Sequence, residues 1–122
     1  MTRRYFILAL MVLAAALVLS ACGGGGGAAQ TVALEATDFA FSPNTATVTA
    51  GSVTFNISNK GALEHNFAIL DAAGAEVSRI NSIAVGGTQS VTANLAAGTY
   101  TFVCDVPGHH EQGMEGTLTV NP

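Results

Sequence analysis

Three side chains able to hold a metal share one short stretch. Cys104, His109 and Met114 lie in Cys104-Asp105-Val106-Pro107-Gly108-His109-His110-Glu111-Gln112-Gly113-Met114 with four residues between each pair, and His65 stands upstream in Glu64-His65-Asn66-Phe67. A thiolate and two imidazoles are strong donors to a first-row metal, whereas a thioether is a weak one. Structural zinc takes four strong donors. Two imidazoles, one thiolate and a distant thioether suit a single copper ion held through both of its oxidation states, and the chemistry such a set supports is one-electron transfer. Taken singly, each residue has an ordinary reading. His65 could be a hydrogen-bonded surface histidine, His109 a turn residue after Pro107-Gly108, Met114 a core filler and Cys104 a buried thiol. Their joint spacing at the end of a strand is what points to copper.

Such donors need a frame, and the chain from Thr31 onward reads as short strands. Val32 to Thr37 and Thr45 to Thr49 are strand-like, and Val53-Thr54-Phe55-Asn56-Ile57 alternates with period two. Asn59-Lys60-Gly61 and Asp71 to Gly74 are turn signals. His65 to Leu70, Thr88 to Leu95, Thr99 to Cys104 and Gly116 to Asn121 complete the pattern, while residues 75–85 have no clear assignment. Phe39 and Phe41 read as core. Seven or eight short strands at this spacing predict an all-β, Greek-key sandwich in one domain. Tyr100, Phe102 and Cys104 share a parity, so the sulfur points inward with the two core rings. Leu95 to Tyr100 has the form of a tyrosine corner.

The N-terminus carries a different message. Arg3 and Arg4 precede an apolar run from Tyr5 to Leu19, and Leu19-Ser20-Ala21 leads to Cys22. Residues 1–21 therefore read as a signal peptide, and Leu19-Ser20-Ala21-Cys22 resembles a bacterial lipobox, which implies cleavage before Cys22 and its lipidation. Residues 22–30, glycine-rich, read as a linker, and residues 31–122 as the domain. Export places the chain where cysteines are normally paired. With Cys22 lipidated, Cys104 has no partner, and a bound metal would occupy it. Removal of the leader leaves Lys60 and Arg79 against eight acidic residues, a net charge of −6. That balance argues against nucleic acid and against electrostatic attachment to a membrane surface. Contact with a membrane is expected through the lipid anchor only.

These residues together are similar to the cupredoxin (plastocyanin/azurin) family. Phe39-Ala40-Phe41-Ser42-Pro43, Val48, Gly51, Val53, Phe55, Asn59, Gly61 and His65-Asn66 follow the family's order over about residues 31–121. The two four-residue gaps resemble those of auracyanins. Plastocyanins have a shorter Cys-to-His gap and azurins a shorter His-to-Met gap. The resemblance implies a type 1 site with one copper per chain, held by His65, Cys104, His109 and Met114. It implies that Asn66 ties the ligand loops together by hydrogen bonds. His109 rather than His110 occupies the family's ligand position after Pro-Gly, and its ring edge is the implied electron exit, ringed by Gly61, Ala62, Leu63, Val106 and Pro107. Asp105 departs from the Ser or Thr often found there, and Glu64, Glu111 and Glu115 join it in an acidic rim. The implied function is a monomeric electron carrier, not an enzyme. It would be lipid-anchored outside the cytoplasm of a bacterium and exchange electrons with a protein donor and acceptor. A copper storage or delivery protein is the alternative, and a structural β-sandwich a more distant one.

Overall fold

Alternating burial along the strands builds two sheets in the computed structural model, which describes residues 29–122. The leader over 1–21, Cys22 and nearly all of the linker lie outside the described residues. In chain order the strands are β1 (Gln30–Thr37), β2 (Ala40–Ser42), β3 (Thr45–Thr49), β4 (Gly51–Asn59), β5 (His65–Leu70), β6 (Glu76–Ile83), β7 (Thr88–Leu95), β8 (Gly98–Val103) and β9 (Glu115–Asn121). One sheet has the order β2-β1-β4-β7 and the other β3-β9-β8-β5-β6. Two neighbouring pairs, β1 with β4 and β3 with β9, run parallel, as a Greek-key sandwich requires where the chain crosses between sheets. Among the described residues the one helical element is a 3-10 turn, His110–Gln112.

The all-β expectation holds, with nine strands in place of seven or eight. The additions have local causes. β2 is three residues long, too short to show a period. β6 fills the stretch that had no clear assignment. Its pairing with β5 is broken by two register shifts, and these scramble its alternation. The sandwich also begins one residue earlier than expected. Gln30, assigned to the linker, opens β1. Its side chain donates to the carbonyl of Thr49 and accepts from the Thr49 N–H, both at 2.7 Å, stitching β1 to the end of β3.

Between the sheets lie Phe41, Phe55, Phe67 and Phe102, all at most 3% exposed. Phe41 meets Phe67 and Phe102 edge-on at 5.8 and 5.5 Å, and Phe55 and Phe102 lie tilted against Phe67. Pairs of this kind add about 0.5–1.5 kcal/mol beyond their buried area. Gly116 makes the cluster possible, because a Cβ there would overlap the Phe102 ring. At the other end of the sandwich the Tyr100 hydroxyl donates to the Ala96 carbonyl at 2.9 Å, closing the expected tyrosine corner. Tyr100→Phe should therefore lower the unfolding free energy by about 1 kcal/mol, one net hydrogen bond. Denaturant melts will measure this, and the far end of the domain should be unaffected.

Candidate metal centre

The register of three strands collects the donors. β8 lies between β5 and β9 and runs antiparallel to both. The C-terminal end of β8 thus meets the N-terminal ends of β5 and β9 at one edge of the sheet. Val103 is paired with Glu115. One step further on, Cys104 faces Met114, and the Cys104 N–H donates to the Met114 carbonyl at 3.1 Å. Alternation turns His65, Cys104 and Met114 inward, and all three are fully buried.

His109 comes from the loop between β8 and β9. That loop is closed on itself by backbone hydrogen bonds. The His109 N–H donates to Val106, and the His109 carbonyl accepts from Gln112 and Met114. His109 is 7% exposed, and its ring meets that of His65 at 5.0 Å. His110 turns outward, half-exposed, with Nε2 3.0 Å from Glu115. The two adjacent histidines diverge.

Three donor atoms converge. His65 Nδ1 and His109 Nδ1 are 3.2 Å apart, and Cys104 Sγ lies 3.8 and 3.6 Å from them. Among the described residues these form the one group of His, Cys, Asp or Glu side chains arranged to hold a metal ion. One ion can touch all three atoms at ordinary bond lengths of about 2.0–2.3 Å. A buried thiol with two imidazole nitrogens, and a buried thioether on the residue facing the thiol, is the donor set copper takes. The residues fit the ion, and His65, Cys104, His109 and Met114 are positioned as a copper site.

Hydrogen bonds lock the surroundings. The Asn66 N–H points at Cys104 Sγ, 3.5 Å away. The Asn66 side chain donates to Asp105 Oδ1 at 2.6 Å and accepts the Asp105 N–H at 2.8 Å, so it joins the two ligand-bearing segments. Asp105, which departs from the Ser or Thr often found there, accepts from Asn66 and pairs through both oxygens with Arg79, which also holds Glu76. Two residues outside the expected set also touch the site. The Asp38 carboxylate accepts from His65 Nε2 at 2.9 Å and from the Ala62 N–H at 2.8 Å. Phe39, read as core, is only partly buried and sets its ring edge-on to His109 at 4.9 Å. Asn59, 1% exposed, shapes the loop before His65 by donating to Leu63 and Ile83 and accepting from Gly61.

A Greek-key sandwich with a buried His-Cys-His triangle and a methionine on the adjoining rung defines a copper protein of the type 1 class. A family profile described as a cupredoxin-like domain matches residues 7–120, and the chain belongs to that family. A stretch of 38 residues is 53% identical to auracyanin-B of Chloroflexus aurantiacus; it spans 30% of this chain and 16% of that protein. The structure is similar to auracyanin A of the same bacterium, a "blue" copper protein, with 27% identity, a TM-score of 0.68 and coverage of 76% of this chain and 99% of that one. Dithionite-reduced auracyanin from the photosynthetic bacterium Roseiflexus castenholzii shares the fold at 24% identity, with a TM-score of 0.70 over 80% of this chain and 100% of that one.

Burial shifts the protonation of two of the metal-free donors, Cys104 and His65. It pushes the Cys104 thiol above its ordinary 9.0, against the pull of the Asn66 N–H. It pushes the His65 imidazole below 6.5, outweighing the Asp38 hydrogen bond. The Arg79 pair holds Asp105 below 3.8, and the Ala62 N–H does the same for Asp38. In acid the unfolded chain protonates first at His65 and at both carboxylates. Stability is therefore full above their unfolded values and lost as pH falls through the lower folded ones. For Cys104 the sign reverses, with stability full below 9.0 and lost as pH rises through the higher folded value. The melting temperature of the metal-free protein should be flat near neutrality, fall below pH 6.5, steepen below 3.8 and fall again above 9.0. Cys104→Ser should remove the alkaline loss alone, as thermal melts across pH will show.

Proposed function

We propose that this chain is a one-electron carrier working outside the cytoplasm. It would bind one type 1 copper through His65, Cys104, His109 and Met114 and be tethered to a bacterial membrane by a lipid on Cys22. The observation that carries this reading is the convergence of two Nδ1 atoms and one Sγ at 3.2–3.8 Å, fully enclosed by protein. When bound, copper supplies a one-electron couple and, through the thiolate, strong visible absorption. The protein does the rest. Strand ends hold His65, Cys104 and Met114 in place whatever the charge at their centre, so little has to move when an electron arrives. Asn66 and Asp105 keep the two ligand segments in register. Phe39 and Val106 help exclude water around His109. No donor is left facing an open cleft where a substrate would bind, which favours a carrier over an enzyme. Storage or delivery requires ligands a partner can reach, and burial of all four argues against it.

Electrons would leave through His109, the least enclosed of the four. Exposed Ala62, Leu63 and Pro107 offer a small apolar surface for a redox protein donor and acceptor, met by a single copy of this chain. The acidic rim is weaker than its sequence implies, because Asp105 is paired with Arg79 and Glu115 faces His110.

The copper-loaded protein should be blue. Cys104→Ser should abolish the visible band, His109→Ala should destroy it or open the site to added imidazole, and His110→Ala should leave it nearly unchanged. A full band in Cys104→Ser, or the two histidine variants behaving the other way round, would overturn the assignment. Docking makes a second prediction. Electron transfer to a cationic redox protein should slow by no more than about tenfold as salt rises, the low end of electrostatic steering. Stopped-flow kinetics across ionic strength will measure it.

A further inference from the structure

The turn between β1 and β2 reaches the donors with two adjacent residues. Phe39 packs on His109. Asp38 lies 27 residues before His65 in the chain, yet its Oδ1 accepts from His65 Nε2 at 2.9 Å while Oδ2 accepts the Ala62 N–H at 2.8 Å. The imidazole end of this bond is fully buried and the carboxylate side chain 25% exposed. Space is kept for it. A Cβ at Gly61 would overlap the Asp38 carboxylate and come within 3.0 Å of His65 Nε2. The far nitrogen of the same ring, Nδ1, is the one that faces Cys104 and His109.

From this geometry we infer that Asp38 is a positioning residue for the copper centre, acting through His65, and that Gly61 is bare in order to admit it. The inference rests on the copper reading above. By accepting the Nε2 proton, Asp38 selects the tautomer whose Nδ1 lone pair faces the metal, and it fixes the rotation of the ring. Its negative charge raises the basicity of Nδ1 and favours the more highly charged, oxidised ion. A carboxylate is also the group the turn needs, since both of its oxygens accept and two N–H donors must be served. The single oxygen of an amide can serve only one of them well.

The test uses Asp38→Asn, Asp38→Ala and Gly61→Ala, with His110→Ala as control. Long-range nitrogen–proton NMR of the copper-free protein should show the His65 proton on Nε2 in the wild type, and loss of this single tautomer in Asp38→Ala. With copper(II) as the probe, Asp38→Ala and Gly61→Ala should bind roughly 10–100-fold more weakly, the usual effect of removing a group that orients a ligand. All variants should remain blue, because the four donors are intact. Asp38→Asn, nearly the same shape, should raise the reduction potential, and it carries the test if the other two variants fail to fold. A wild-type proton on Nδ1 would overturn the inference, as would unchanged copper affinity and potential in Asp38→Asn. If the wild type itself does not turn blue, the copper reading falls, while the NMR still decides whether Asp38 holds the His65 proton.

Discussion

The pairing of β8 with a strand on either side governs everything else at the site. Because both partners run against it, its last residue, Val103, adjoins Glu115 at the start of β9 and Ala68, three residues past His65, in β5. Two residues ten apart in sequence, Cys104 and Met114, become opposite rungs of one ladder. A third, His65, reaches the same edge from β5 with the same inward parity. A slip of one residue in either pairing would turn a donor to the opposite face. The register is held from both sides, by the Phe102 ring seated over Gly116 within the core and by the Asn66–Asp105 pair at the rim. The precision of the donors is thus inherited from the sheet rather than from the loop.

Without metal, the same enclosure leaves the Cys104 thiol reluctant to lose its proton beside a His65 imidazole that resists gaining one. With no charge on Cys104 or His65 the converging donors repel little, so the frame can be built and kept ready before an ion arrives. The polar cost is confined to the rim. There Asp105 is matched by Arg79 and Asn66, and Asp38 by Ala62 and His65. Among the described residues no buried side-chain nitrogen or oxygen lacks a partner.

The donors were legible in the sequence because their signal is local. Cys104, His109 and Met114 sit on one loop at equal intervals, and strand parity alone aims Cys104 inward. Asn66 was implied by the family resemblance alone, through its place beside His65. Asp38 and Arg79 could not be read. Each meets its partner across more than 25 residues, through the pairing of other strands. Phe39 showed its hydrophobicity but not its position, since the turn that carries it leaves the core to lie on His109. β6 was obscured by its own bulges and β2 by its brevity. Gln30 looked like linker because its anchoring to Thr49 is made by a side-chain amide, which leaves no trace in hydrophobic patterning.

The excursion from Asp105 to Gly113 begins and ends on facing rungs and is braced by a few backbone hydrogen bonds of its own. It is in effect an interchangeable cassette. Between Asp105 and His109, and between His109 and Gly113, its length and residues can change without disturbing the sheet, provided that the two ends still meet. Natural variation in the intervals between cysteine, histidine and methionine then has a simple origin, because the scaffold constrains the closure of the loop and the places of Asp105 and His109 and leaves the rest free to diverge. The β1–β2 turn has no such freedom, being tied at once to a backbone amide and to an imidazole. Divergence among proteins built on this plan should accumulate in the cassette before it reaches the turn.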